Sequence, residues 1–316
     1  METSPFAHQI RLAVAAVLSI SAVSAYISAN AGPKETVNDI ASGVNDRLYY
    51  RAPAAIWEAT LPLGNGRLGM MPDGGVFREH IVLNEISMWS GGESDYQNPD
   101  AAKSLPEIRR LLSEGKNAEA QDIMYEHFVT KKETYDPRYG CYQVLADLDI
   151  DFRYGTAASR SSAFCEFADY VRDLSLADAV SHTQVTLDGT CYRREYFTSR
   201  DKDVFIVKLS ADGPGTLDFT ARLSREKDAV LRAEHGQAVL EGMLYSGNPD
   251  KDGVRFRTVM KALSDSGKCR VSQDGAIDVK GAKTAVLVLS AATSFSAEGT
   301  DFPGDKYRKV CDGKLD

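Results

Sequence analysis

The chain has 316 residues, long enough to bury a sizeable core as one large all-β domain or two smaller ones. Hydrophobic residues make up 43% and charged residues 26%, ordinary values for a folded protein, which argues against disorder over most of the length. The formal net charge is −8 and no Lys/Arg-rich run interrupts it, so nucleic acid is excluded as a partner.

Arg11 precedes the apolar run Leu12–Val23, and small residues follow up to Ala25 and Ala31. A basic residue, a short apolar stretch and an A-x-A-like end are the parts of a secretory signal peptide. The run falls short of the ~20 residues a comfortable span needs. The reading is therefore a signal over residues 1–25, cleaved after Ala25 or Ala31, with export to the periplasm or medium and no membrane span left after cleavage. Residues 26–47 are polar, lack periodicity and read as a linker.

From Leu48 the pattern becomes strand-like. A β-rich stretch runs from Gly66 to Leu83 with a turn at Asp73-Gly74-Gly75. Residues 99–129 form the one clear helical region. Pro99 suits a first turn, Leu105, Ile108, Leu111 and Leu112 recur at helical spacing, and Gly115 ends that helix. A second helix follows over 117–128, with Ile123, Met124, His127 and Phe128 on one side. Beyond it, strands dominate. Leu148, Ile150 and Phe152 alternate with Asp147, Asp149 and Asp151; Leu217, Phe219, Ala221 and Leu223 alternate with polar residues; Val254, Phe256 and Met260 alternate with Arg255, Arg257 and Lys261. Period-two alternation means one buried and one wet face. Asp188-Gly189 and Asp274-Gly275 mark hairpins. The expected fold is mainly β: a large antiparallel β-sandwich carrying an inserted helical hairpin. Residues 295–316 lose the pattern, are polar, and read as the start of a connection without an apolar face.

Gly64-Asn65-Gly66-Arg67-Leu68-Gly69 matches G-x-G-x-x-G, with Glu85 about 20 residues on. A dinucleotide site needs a strand before and a helix after, whereas strand and turn follow here, so the glycines serve turns. Asp147, Asp149 and Asp151 lack the Gly and Glu of a calcium loop; Phe152 and Ala158 stand there, and the aspartates read as a solvated strand face. His8, His80, His127, His182 and His235 show no metal-ligand spacing, and no G-x-S-x-G elbow occurs. Cys141, Cys165, Cys191, Cys269 and Cys311 form no C-x-x-C pair; one or two disulfides or buried free thiols both fit them. No cofactor or metal is indicated.

The stretch Asn84–Gly92 (NEISMWSGG) packs an amide, a carboxylate, an indole and two glycines into nine residues. Aromatic faces stack on sugars while amides and acids bind hydroxyls. Against this, a Trp is usually buried, and that reading of Trp89 as a core filler is the weightier from sequence alone.

Trp57–Gly69 (WEATLPLGNGRLG), Leu83–Gly92, Asn98-Pro99, Leu105–Gly115, Tyr142-Gln143, Asp147-Leu148, Arg194–Phe197, Val254–Phe256 and Ala291–Ser294 together resemble glycoside hydrolase family 95, chiefly α-L-fucosidases, over about residues 48–295. The chain departs at Ala146, where the family commonly has Gly, and at Ile86-Ser87, where it often has Asp and Thr. The resemblance implies an N-terminal domain over 48–294 of the supersandwich type. It also implies a catalytic (α/α)6 barrel of the same protein, to which 295–316 would begin the linker, and inverting hydrolysis of fucosylated oligosaccharides or polysaccharides. Catalytic residues would lie in that barrel, and none is assigned here. Asn84, Glu85, Trp89 and Ser90 are the candidates for a substrate-pocket border or barrel interface. A carbohydrate-binding or purely structural sandwich is the alternative.

Overall fold

A computed structural model describes residues 46–92, 98–128, 140–154, 169–247, 251–295 and 306–315. Two units divide the chain, Met1–Arg47 and Leu48–Asp316, and apart from Arg47, the first residue of β1, the sheets belong to the second. In chain order the strands begin with β1 (Arg47–Tyr50), β2 (Leu63–Gly64), β3 (Leu68–Pro72) and β4 (Arg78–Glu85). Helices α1 (Ala101–Ser113) and α2 (Asn117–His127) come next. Then follow β5 (Ala146–Phe152), β6 (Val171–Ser175), β7 (Val180–Leu187), β8 (Thr190–Ser199), β9 (Val204–Asp212) and β10 (Leu217–Ser224). The last elements are β11 (Ala229–Glu234), β12 (Gln237–Met243), β13 (Arg255–Ser264), β14 (Lys268–Val271), β15 (Ile277–Ala282), β16 (Thr284–Thr293) and α3 (Lys306–Gly313).

The alternating faces build two antiparallel sheets. One has nine strands in the order β1-β6-β7-β8-β9-β16-β13-β12-β11; the other has seven, β14-β15-β10-β5-β4-β3-β2. Inner faces meet in one core, where Met70, Ile81, Leu83, Leu148, Ile150 and Phe219 of the smaller sheet face Phe205, Val207, Leu209, Phe256, Leu287 and Leu289 of the larger. Each such side chain removed from water contributes roughly 1.5–3 kcal/mol. The β7–β8 hairpin turns on Asp188 (φ 46°) and Gly189 (φ 73°), so both central residues are left-handed as a two-residue turn of this twist requires. On the outer face of β5 Asp151 is exposed, whereas Asp149 is 16% exposed and pairs with His80 at 3.1 Å and Arg78 at 3.2 Å, so the acidic stripe is only partly solvated.

The helical insertion forms as the spacing predicts, with two corrections. α1 starts at Ala101, so Pro99 lies outside it. It ends with Gly115 in the left-handed region, where the amide of Lys116 reaches the carbonyl of Leu111 and that of Gly115 the carbonyl of Leu112. The inner stripe of α2 runs through Ala120 and Ile123, packed on Ile108 and Leu111, while Met124 and Phe128 are exposed. Among the described residues no helix is long and apolar enough to cross a membrane.

The tail differs more. Residues 306–313 are α3, which lies on the outer face of the larger sheet and buries Tyr307 and Cys311 against Val239, Val259 and Ala292. Two apolar side chains four apart in a polar segment suffice to dock a helix, although they do not stand out as a face. The same helix removes Arg257 from solvent. Expected on a wet strand face, Arg257 is 3% exposed and pairs with Asp312 at 2.8 Å and Glu234 at 3.0 Å.

Inside the sandwich, Arg194 of β8 crosses to the β3–β4 turn. It donates to Glu79 at 2.9 Å, to the carbonyls of Gly75 and Val76 at 2.6 and 2.7 Å, and to the Tyr154 hydroxyl at 2.9 Å. Tyr196 donates to the other Glu79 oxygen at 2.5 Å. Every charge is therefore paired, which is the condition for burying an ion pair. Arg194→Met strands Glu79 and is expected to cost about 3–5 kcal/mol in chemical denaturation. A loss below about 1 kcal/mol, the value of an exposed pair, would contradict this.

Candidate functional site

The site grows from the β2–β3 turn. Asn65 accepts hydrogen bonds from the amides of Arg67 (2.9 Å) and Leu68 (2.7 Å), closing the turn on its own side chain, with Gly66 left-handed at φ 97°. Its amide nitrogen donates to the Ser199 carbonyl (2.9 Å) and to Asp203 Oδ1 (3.1 Å), fixing the turn to the β8–β9 connection. Strand β3 begins at Leu68, inside the motif, and no helix follows, so the glycine pattern serves a tight turn as the sequence context indicates.

Held in this way, Arg67 reaches three acceptors from separate elements. Its Nε donates to Asp203 Oδ2 (2.5 Å), one terminal nitrogen to Glu85 Oε1 (2.7 Å), and the other to the Ala291 carbonyl (2.8 Å). Glu85 ends β4 with its side chain 3% exposed. Its second oxygen accepts from the amide (2.8 Å) and hydroxyl (2.6 Å) of Ser87. The Ser87 hydroxyl also meets Thr293 at 2.6 Å. Ser87 thus has a polar role where the resembled family often has Thr. Glu85 is an internal brace between the two sheets, not a carboxylate presented to a ligand.

Trp89 lies at the surface, 51% exposed, which overturns the core-filling reading; Met88 turns inward instead and is fully buried. Trp89 forms an isolated antiparallel bridge with Tyr142, their rings 5.7 Å apart at 64°. Tyr142 donates its hydroxyl to the Glu85 carbonyl at 3.1 Å. Next to the bridge, Ser90 exchanges hydrogen bonds with Cys141: Ser90 N to the Cys141 carbonyl at 3.0 Å, and Cys141 N to Ser90 Oγ at 3.1 Å. Here the chain passes close to itself. A Cβ on Gly91 would lie 2.8 Å from Gly140 Cα, so both positions need glycine. Ser90 is therefore a backbone fastener at the neck of the helical insertion.

These residues surround an open depression of about 390 Å³. Gly64, Gly66 and Gly69 leave its base bare, Ile86, Trp89 and Tyr142 give it apolar walls, and Arg67 and Asn84 supply polarity. Asn84 Oδ1 is buried and accepts no hydrogen bond among the described residues. The four candidates thus gather at one end of the sandwich, but only Trp89 and Asn84 line the depression. Arg67, Asp203, Ile86 and Tyr142 were missed by sequence reasoning; Arg67 alone carried a signal, a single cation between turn glycines. Cys141, Cys191, Cys269 and Cys311 are unbridged, and Cys165 lies outside the described residues.

A profile described as glycosyl hydrolase family 65, N-terminal domain, matches residues 48–298. Among curated proteins, "Alpha-L-fucosidase 2" of Arabidopsis thaliana is 29% identical over 273 residues, covering 80% of this chain and 31% of its own length. "Probable alpha-fucosidase A" of Aspergillus niger is 32% identical over 245 residues, covering 75% of this chain and 28% of its own. The chain thus spans roughly a third of these relatives. Among solved structures, "Putative kojibiose phosphorylase from human microbiome" aligns with 85% of this chain and 35% of its own, with a TM-score of 0.46 and 9% identity. Two packed antiparallel sheets, matched along their length by that profile, define the N-terminal domain of a glycoside hydrolase. The chain belongs to the glycosyl hydrolase family 65 N-terminal domain family.

Asp203 links this site to pH. Burial raises its pKa, but hydrogen bonds from Lys314, Arg67 and Asn65 outweigh burial and hold it below the ordinary 3.8. A depressed folded pKa stabilises above the unfolded value and stops doing so as pH falls through the folded value. The stability advantage of the native protein over Asp203→Asn is therefore expected to be constant at neutral pH and to shrink once pH drops below about 3.8. A gap that stays unchanged down to full protonation, followed by denaturant titration, would contradict the pairing.

Proposed function

We propose that this chain is the non-catalytic N-terminal domain of an inverting exo-glycosidase of the α-L-fucosidase type, family 95 in kind, acting on fucosylated glycans. In this reading the protein is secreted or periplasmic, and bond cleavage belongs to an (α/α)6 barrel that meets the depression. The observation that carries it is the state of Glu85. Hydrolysis of a glycosidic bond uses two carboxyl groups facing the sugar; no Asp or Glu is among the described residues that line the depression, and Glu85 has both oxygens turned inward onto Arg67 and Ser87. The fucosidase names of the relatives support the substrate class. Exposed Ile86, Trp89 and Tyr142 suit burial against another surface.

A second reading is glycan binding by the sandwich itself, favoured by the aromatic pair beside the unpaired Asn84 oxygen. The 316-residue chain, expressed alone, is expected to begin at Tyr26 or Gly32 on N-terminal sequencing after export, to release no nitrophenol from a nitrophenyl α-L-fucoside, and to give no calorimetric heat with fucosylated oligosaccharides. A start at Met1 contradicts export with cleavage, and turnover by the chain alone contradicts the non-catalytic role. Heat that disappears in Trp89→Ala favours the second reading.

A further inference from the structure

Two of the three groups that orient Arg67 also hold the chain at the end of α3. Lys314, the residue after that helix, donates to Asp203 Oδ2 at 2.6 Å and to the Ala291 carbonyl at 3.3 Å. Arg67 donates to the same two acceptors, at 2.5 and 2.8 Å. One carboxylate oxygen and one carbonyl are thus shared by a cation of the depression and a cation of the C-terminal helix. Lys314 is 18% exposed in its side chain and Asp203 26%, so the shared contact is poorly screened by solvent.

Asp203 is also held in an uncommon conformation. Its φ is 54°, in the left-handed region that non-glycine residues adopt uncommonly, aspartate more readily than most. Such a conformation persists where surrounding contacts fix it. The donors that fix its carboxylate are Asn65, Arg67 and Lys314, two from the turn and one from the tail.

α3 itself is anchored elsewhere. Tyr307 donates to Glu241 at 3.0 Å, Arg308 pairs with the same carboxylate, and Asp312 receives Arg257. None of these contacts touches the depression. The helix can therefore remain docked while its link to Asp203 is cut.

We infer that Lys314 is a positioning residue for the depression: α3 is a strut whose end sets Asp203, and through Asp203 the orientation of Arg67, the 65–68 turn and Glu85. The inference holds whatever occupies the depression. Any force that shifts α3 reaches the base of the depression through one shared carboxylate.

The test is hydrogen–deuterium exchange on the full chain, comparing Lys314→Met with Arg308→Met. Both remove one positive charge from the tail, but only the first touches Asp203. Lys314→Met is expected to speed exchange at least about threefold in peptides covering 64–69 and 84–89, a factor of three being about 0.65 kcal/mol of local stability. Arg308→Met should leave those peptides unchanged, and Lys314→Arg should restore the slow exchange. In Asp203→Asn the same peptides should speed up, and adding Lys314→Met should then have no further effect. Unchanged or slower exchange in Lys314→Met overturns the inference. An equal response to Arg308→Met overturns it too, because docking alone would then account for the effect.

Discussion

The guanidinium of Arg67 joins the two sheets at one end of the sandwich. Its three donor directions end on Asp203 in the β8–β9 connection, Glu85 at the end of β4, and the Ala291 carbonyl in β16. A planar, permanently charged fork can satisfy three fixed acceptors at once, whereas a lysine would offer a point charge to one or two. Because Glu85 is pulled inward, the loop after it turns outward, Met88 enters the core and Trp89 is left at the surface beside Tyr142. The open depression is the consequence of that arrangement.

A second guanidinium, that of Arg194, performs the same service deeper in the core, and a third, Arg257, ties α3 to the larger sheet. In each case an arginine bridges elements distant in sequence. The apolar core supplies most of the stabilisation, and these polar bridges decide how the sheets and tail are set against one another. Buried ion pairs of this kind contribute little net stability when intact and are costly to break.

The architecture was largely legible because period-two alternation survives in β5 and β10, and because Asp188-Gly189 and Gly115 mark a hairpin and a helix end by backbone conformation alone. α3 was not legible. Tyr307 and Cys311 are too few to make a face, and the docking site on Val239, Val259 and Ala292 exists only once distant strands have paired. Arg257 was misread for the same reason, since the outer face of β13 looks wet until a helix from fifty residues on covers it. Within the candidate site, the composition of Asn84–Gly92 singled out the correct loop but not the roles within it. Burial of Glu85 depends on Arg67 and Ser87, and exposure of Trp89 depends on which neighbour enters the core, neither of which is encoded in composition.

The account stands on Glu85 being a paired structural acid. A double-mutant cycle of Arg67→Met and Glu85→Gln, measured by urea denaturation of the full chain, tests it most directly. The account predicts that each single change destabilises the fold, that the double variant costs little more than either, and that the coupling exceeds about 1 kcal/mol. Additivity within about 0.3 kcal/mol, or a Glu85→Gln variant as stable as the native protein, would show that the carboxylate is free and would contradict it.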